Sequence, residues 1–169
     1  MKVFLAVLLL VVVSYDIDAQ SHWEQYASGK TYKNLRKAIR NKTEVEILDL
    51  SRQHLDEVPA AVFELTALKV LILRSNNIVS IPPEISRLSK LKYLNLIENK
   101  VSDVPAELGQ LEGLEYLLLM KNYIREVPTE LTELKQLKRL NIAFNRINQN
   151  LVFLEKALPD CRIIEIVDM

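Results

Sequence analysis

Leu68-Lys69-Val70-Leu71-Ile72-Leu73-Arg74-Ser75-Asn76-Asn77-Ile78, followed by Ile81-Pro82-Pro83-Glu84-Ile85 and Leu88, is the stretch on which the reading of this chain turns. Moving 23 residues along places Leu91, Leu94, Leu96, Asn99 and Val101 on the same template. Two further steps give Leu114, Leu117, Leu119, Asn122 and Ile124, then Leu137, Leu140, Ile142, Asn145 and Ile147. One step back gives Val45, Leu48, Leu50 and Leu55, with Gln53 where the asparagine belongs. Pro59, Pro82, Pro105 and Pro128 keep the same interval. A fixed period of this size signals stacked units that share a core, not one collapsed globule.

Each unit has three parts with different physics. Tyr93-Leu94-Asn95-Leu96 reads as a short strand, with Leu94 and Leu96 on one face and Tyr93 and Asn95 on the other. A turn follows, holding Asn99. A buried amide both donates and accepts, so it can satisfy main-chain groups in a bend that no strand ladder reaches. Stacked, Asn76, Asn99, Asn122 and Asn145 should form a structural ladder. The return segment opens on proline, which suits the first position of a helical turn, and supplies Ile85/Leu88, Leu108/Leu111 or Leu131/Leu134.

These residues resemble the leucine-rich repeat family in its LxxLxLxxNxLxxLPxEIxxLxx form, most closely over Leu91 to Leu108, where Leu stands at the EI position and Val before Pro. The resemblance covers about two thirds of the chain. It implies an α/β fold: a right-handed solenoid with parallel strands on the concave side and helical or 3₁₀ turns on the convex side. Secreted or surface bacterial members with a short helix before the first repeat are similar in layout. Gln53 departs from the pattern and puts the first rung of the ladder in question.

The flanks are read separately. Met1-Lys2, the apolar run Val3 to Val13 and Ala19 have the layout of a secretory signal peptide over residues 1–19; the alternative is a buried first strand. The run is shorter than the ~20 residues a membrane span needs. Residues 20–44 read as a polar arm carrying Trp23 and Tyr26, packing on the first repeat, then a capping helix from Thr31 through about Arg40 with Leu35, Ala38 and Ile39 on one face. The repeats occupy residues 45–150. Residues 151–169 read as a closing helix capped by Asn150 and a last strand from Cys161 to Val167, with Ile164 and Ile166 inward if the register slips by one.

Composition narrows the function. The chain has 169 residues and zero formal net charge, so no global field draws it to nucleic acid or membrane. Three glycines make no phosphate-cradling loop, and one cysteine with two histidines makes no internal disulfide and no metal site. No catalytic residues, metal or cofactor are expected. His22 and His54 have no evident partner, and Glu84, Glu107 and Glu130 recur with the period, as framework residues do.

Partner binding is the function this pattern favours. Strand positions that face away from the leucine core need not be apolar, yet Val70, Ile72, Tyr93, Ile97, Tyr116, Leu118 and Met120 cluster there, with Asn95, Arg74 and Arg139 among or beside them and Asp49 and Lys121 on the rim. Tyr123 and Phe144 flank the group in the turns. A tyrosine-bearing apolar patch with a charged rim has the composition of an interaction hot spot, although strand propensity alone also favours Val, Ile and Tyr. Six strands of this length expose roughly 300–400 Å², against about 800 Å² per partner in a standard interface. The expected partner is therefore a peptide segment or small protein face, with a homodimer through the same patch as the alternative. On this reading Asn95 points outward, and losing it or the Tyr93/Tyr116 pair should leave stability nearly unchanged.

Overall fold

A computed structural model describes residues 22–165. The proposed leader at 1–19 and the strand position Ile166 lie outside that span. Among the described residues seven short strands form one open parallel sheet in sequential order: β1 (Thr31–Tyr32), β2 (Ile47–Asp49), β3 (Val70–Ile72), β4 (Tyr93–Asn95), β5 (Tyr116–Leu118), β6 (Arg139–Asn141) and β7 (Arg162–Ile164). Each is only two or three residues long because the chain must turn out of the sheet to complete its coil. From β2 to β7 the partners are one period apart: Leu48 pairs with Leu71, Leu71 with Leu94, Leu94 with Leu117, Leu117 with Leu140, and Leu140 with Ile163. These residues fill the inside of the coil with Leu50, Leu73, Leu96, Leu119 and Ile142, and with Ile85, Leu88, Leu108, Leu111, Leu131 and Leu134 from the return segments.

The return segments are 3₁₀ turns at Ala60–Glu64, Pro83–Arg87, Ala106–Gln110 and Thr129–Glu133. Pro59, Pro82, Pro105 and Pro128 stand one residue earlier than the sequence suggests, as extended N-caps with φ between −60° and −73°. Their ring fixes that φ, and each carbonyl accepts the first bond of the turn, from Val62, Ile85, Leu108 and Leu131 N–H respectively. At Gly109 a Cβ would sit 2.3 Å from the Glu130 carbonyl oxygen, so the third and fourth return turns pack too closely there for any side chain.

The turns after β2 to β6 share a left-handed residue at one step, Arg52, Ser75, Glu98, Lys121 and Phe144 with φ of 54–58°, and the first coil adds a second at His54. None is glycine, so the backbone accepts some strain at this step in every coil. The following asparagine repays it. Asn99 Nδ2 donates to Leu73 O and Leu96 O, both at 3.0 Å, while Oδ1 accepts Ile78 N–H at 3.1 Å. Asn76 binds Leu50 O and Leu73 O, Asn122 binds Leu96 O and Leu119 O, and Asn145 binds Leu119 O and Ile142 O. Every side chain thus ties its own coil to the preceding one. Gln53 makes no such rung. Its Nε2 donates to Lys33 O at 3.0 Å, and its own N–H is received by Asn76 Oδ1.

Both ends differ from the sequence reading. The N-terminal end opens with a strand: Thr31 lies in β1, beside Ile47, and does not cap a helix. Asn34 caps a shorter helix, Leu35–Ile39, by accepting Lys37 N–H at 3.1 Å. Ala38 is buried in the coil core, with Leu35 and Ile39 packed against it. At the other end the helix is Val152–Ala157, with Asn150 Oδ1 accepting Val152 N–H. No register slip occurs at β7: Ile163 enters the coil core and Ile164 the opposite face, because β7 pairs with β6 at the unaltered interval.

Candidate functional site

The alternation of each strand puts a second set of side chains on the concave side. Ile47, Val70, Ile72, Tyr93, Ile97, Tyr116, Leu118, Met120 and Ala143 form a cluster distinct from the coil core, with Phe144 and Ile164 packed against it. Tyr123 is not part of it. The residue is 44% exposed, and its ring lies under the Arg146 guanidinium at 4.4 Å. Of the residues singled out for partner binding, Val70, Ile72, Tyr93, Asn95, Ile97, Tyr116, Leu118, Met120 and Arg139 are buried, and Arg74 is half-buried. The expected bare, outward-pointing surface is therefore corrected: these side chains are enclosed.

The N-terminal arm accounts for part of this. Its 3₁₀ turn, His22–Gln25, and the residues after it bring Trp23, Tyr26 and Ala27 onto the concave cluster, which runs from Ile47 of the first repeat to Ala143, so the arm reaches well beyond the first repeat. The Tyr26 ring centre is 6.1 Å from that of Tyr116, which is 6.0 Å from that of Tyr93. Both pairs are tilted, a favourable arrangement for ring quadrupoles. The Arg139 guanidinium lies 5.9 Å from the Tyr116 ring centre. The Tyr26 hydroxyl donates to Glu115 Oε2 at 2.9 Å. Glu115 sits in a charge column that also repeats with the period: Glu46 pairs with Lys69, and Glu115 with both Lys92 and Lys138. Burial works against the Glu115 carboxylate, but its bonds to Lys138 and Tyr26 outweigh that and hold its pKa below the ordinary value. Burial, then the bond to the Glu115 carboxylate, push the Tyr26 hydroxyl up.

Asn95 is also tied in. Its Oδ1 accepts Ile97 N–H at 3.0 Å, and its Nδ2 donates to the Tyr93 hydroxyl at 3.3 Å. Asp49 and Asn141 close their strands the same way, onto Ser51 and Ala143 N–H. The polar residue thus recurs in alternate coils, with Ile72 and Leu118 between, a two-coil period that the single-coil template conceals.

On the rim, Glu98 joins three coils. It accepts the Ser75 hydroxyl at 2.7 Å and Lys121 Nζ at 3.1 Å, with Arg74 Nε at 3.6 Å. The Ser75 bond, then Lys121 and Arg74, lower its pKa from 4.5 to about 2 against a smaller burial effect. A lowered carboxylate pKa stabilises the fold fully above 4.5 and loses that contribution as pH falls from there towards 2. Thermal melts from pH 6 to pH 2 should therefore show the protein more stable than Glu98→Gln near neutrality, with the difference disappearing across that acid window. A difference independent of pH would contradict this network.

Among the described residues no group of His, Cys, Asp and Glu could hold a metal, and no helix is long and apolar enough to cross a membrane. Beside the arm, Trp23, Lys33, Asp49, Arg74, Tyr93 and Asn95 help to line an open cleft of about 500 Å³.

The repeat geometry agrees with the comparisons. One leucine-rich repeat model matches residues 43–101 and a leucine-rich repeat region model matches residues 83–160, so together they span the stack from before β2 to past its last full coil. The chain belongs to the leucine-rich repeat family. Members of this family are typically protein-interaction modules. Among solved structures, the leucine-rich repeat ectodomain of the receptor kinase SOBIR1 from Arabidopsis thaliana shares the fold at TM-score 0.62 and 23% identity, over 73% of this chain and 70% of that one. An internalin from Listeria monocytogenes does so at TM-score 0.58 and 20% identity, over 73% and 35%. A Leptospira interrogans leucine-rich repeat protein aligns at 26% identity and TM-score 0.48, and this chain spans 48% of its length. No curated protein matches the chain.

Proposed function

We propose that this leucine-rich repeat chain is a non-catalytic, secreted interaction module that holds a protein or peptide partner on its concave sheet, with Val70, Ile72, Arg74, Tyr93, Asn95, Ile97, Tyr116, Leu118, Met120 and Arg139 as the binding set. The observation that carries this reading is the separation of two apolar clusters. The coil core needs the inward leucines, whereas the concave cluster of tyrosine, isoleucine and methionine is not required to close a coil and already receives aromatic side chains from another segment of the chain. A small apolar face with aromatic anchors suits a peptide or small protein face. Secretion rests on the leader-like residues 1–19 and is compatible with the extracellular setting of an ectodomain neighbour. We assign residues 20–44 to an arm and N-terminal cap, 45–150 to the repeats and 151–169 to the closing cap. No nucleic acid, membrane insertion, metal or cofactor is assigned.

A photo-crosslinking amino acid tests the face. Placed at Lys121, on the concave rim, it should give a partner adduct in culture medium or cell-surface extract. Placed at Glu84, exposed on a return turn, it should give none. Adducts from Glu84 with none from Lys121 would overturn the assignment. The second reading, self-association through the same cluster, requires a concentration-dependent dimer in sedimentation without any added partner.

A further inference from the structure

Resting on that reading, we propose that the arm, residues 22–30, is a built-in occupant of the concave sheet, and that the partner displacing it is a peptide segment that likewise presents an aromatic side chain and a tyrosine hydroxyl to the Tyr93–Tyr116–Glu115 site. Three observations converge. First, the arm contributes nothing to the coil core. Trp23, Tyr26 and Ala27 enter the concave cluster alone, while Glu24, Gln25, Ser28, Gly29 and Lys30 are exposed. Its removal therefore leaves the inward leucines and the asparagine ladder as they are. Second, the contact is chemically specific. The Tyr26 hydroxyl meets a carboxylate held ionised between Lys92 and Lys138, and its ring meets a tyrosine ring already ordered by Tyr93. Third, the arm does not fill the face, for the cleft of about 500 Å³ at Trp23, Ile72 and Asn95 stays open beside it. An incoming segment can gain a foothold there before the arm leaves.

The energetics fit a displaceable cover. The arm is tethered to β1 at Thr31, only a few residues from Tyr26, so it acts at an effective concentration on the order of millimolar. A weak intrinsic affinity then suffices to hold it down, and a partner with additional contacts can exchange with it. The arm also specifies its competitor, because it displays an aromatic pair three residues apart followed by a small residue, Trp23, Tyr26 and Ala27.

The test uses the full chain and a fluorescein-labelled nonapeptide of the arm sequence, His22 to Lys30. Trp23→Ala/Tyr26→Ala should bind this peptide at least tenfold more tightly than the unaltered chain, by fluorescence anisotropy. A Tyr-to-Phe version of the peptide should bind several-fold more weakly, as should the normal peptide to a chain that also carries Glu115→Gln. Equal affinity for the covered and uncovered chains, or no binding to an uncovered chain whose circular dichroism is native, overturns the proposal. Should the double variant not fold, the unaltered chain gives a second readout, because Trp23 is its one tryptophan. Acrylamide quenching of Trp23 should reach its unfolded value at urea concentrations where circular dichroism is still native; coincident transitions would overturn the proposal. Neither readout involves an external partner. Crosslinks from Glu84 would sink the functional reading and the displacing partner with it, while the arm would stand as a cover; a peptide that fails to bind would overturn the arm proposal and leave the functional reading standing.

Discussion

Asn99→Ala should lower the free energy of unfolding by about 2–4 kcal/mol, read from the midpoint of a urea melt. The deletion strands the buried Ile78 N–H and takes one of two amide donors from each of the Leu73 and Leu96 carbonyls, which keep Asn76 and Asn122 respectively. An unsatisfied buried group costs ~1–3 kcal/mol, and the two bonds lost from carbonyls that stay paired add roughly 1 kcal/mol more. A loss of this size is a large share of the ~5–15 kcal/mol that stabilises an ordinary domain. Asn99→Asp should fare no better, since it keeps the acceptor but turns a second oxygen towards two carbonyls. Asn95→Ala, four residues earlier, should cost about 1–3 kcal/mol, because it strands the Ile97 N–H. Had Asn95 faced solvent, the cost would be well under 1 kcal/mol. A loss from Asn95→Ala equal to that from Asn99→Ala would contradict the division between ladder and strand cap.

How far the sequence could be read depended on the interval over which each feature repeats. Leu71, Leu94, Leu117 and Leu140 are legible because the side-chain alternation of a strand and the 23-residue step fix both their face and their register. The same step carries β7, yet Arg162-Ile163-Ile164 offers two neighbouring isoleucines, and apolar character alone does not say which one points inward. Composition also places the tyrosines and isoleucines on the concave sheet, since only the other face of the strand is left to them. Their enclosure was out of reach. Tyr26 meets Glu115 across 89 positions of chain, and no periodicity links an irregular arm to the fourth coil. The cap at Asn34 is hidden because Thr31 is also a capping residue, and only the pairing of Thr31 with Ile47 removes it from the helix. Glu98 is hidden for another reason. It occupies the left-handed position of its coil, where composition varies from Arg to Ser to Lys to Phe, and only stacking brings Ser75 and Lys121 to it.

The account as a whole stands on the independence of the coil core from the concave cluster, and β5 provides a matched pair for testing it. Leu117 and Leu118 are adjacent leucines, both fully buried. Leu117 stands in register between Leu94 and Leu140 inside the coil, where neighbours locked by every repeat cannot close around a cavity. Leu118 belongs to the concave cluster, which packs against an arm that is free to settle. Large-to-small changes at rigid core sites cost about 3–5 kcal/mol, and less where the surroundings can collapse. Urea unfolding of Leu117→Ala beside Leu118→Ala is therefore the decisive measurement. The first variant should lose about 3–5 kcal/mol and the second less than half as much. Equal losses, or a greater loss at Leu118, would mean that the two clusters are one core and that no separable binding face exists.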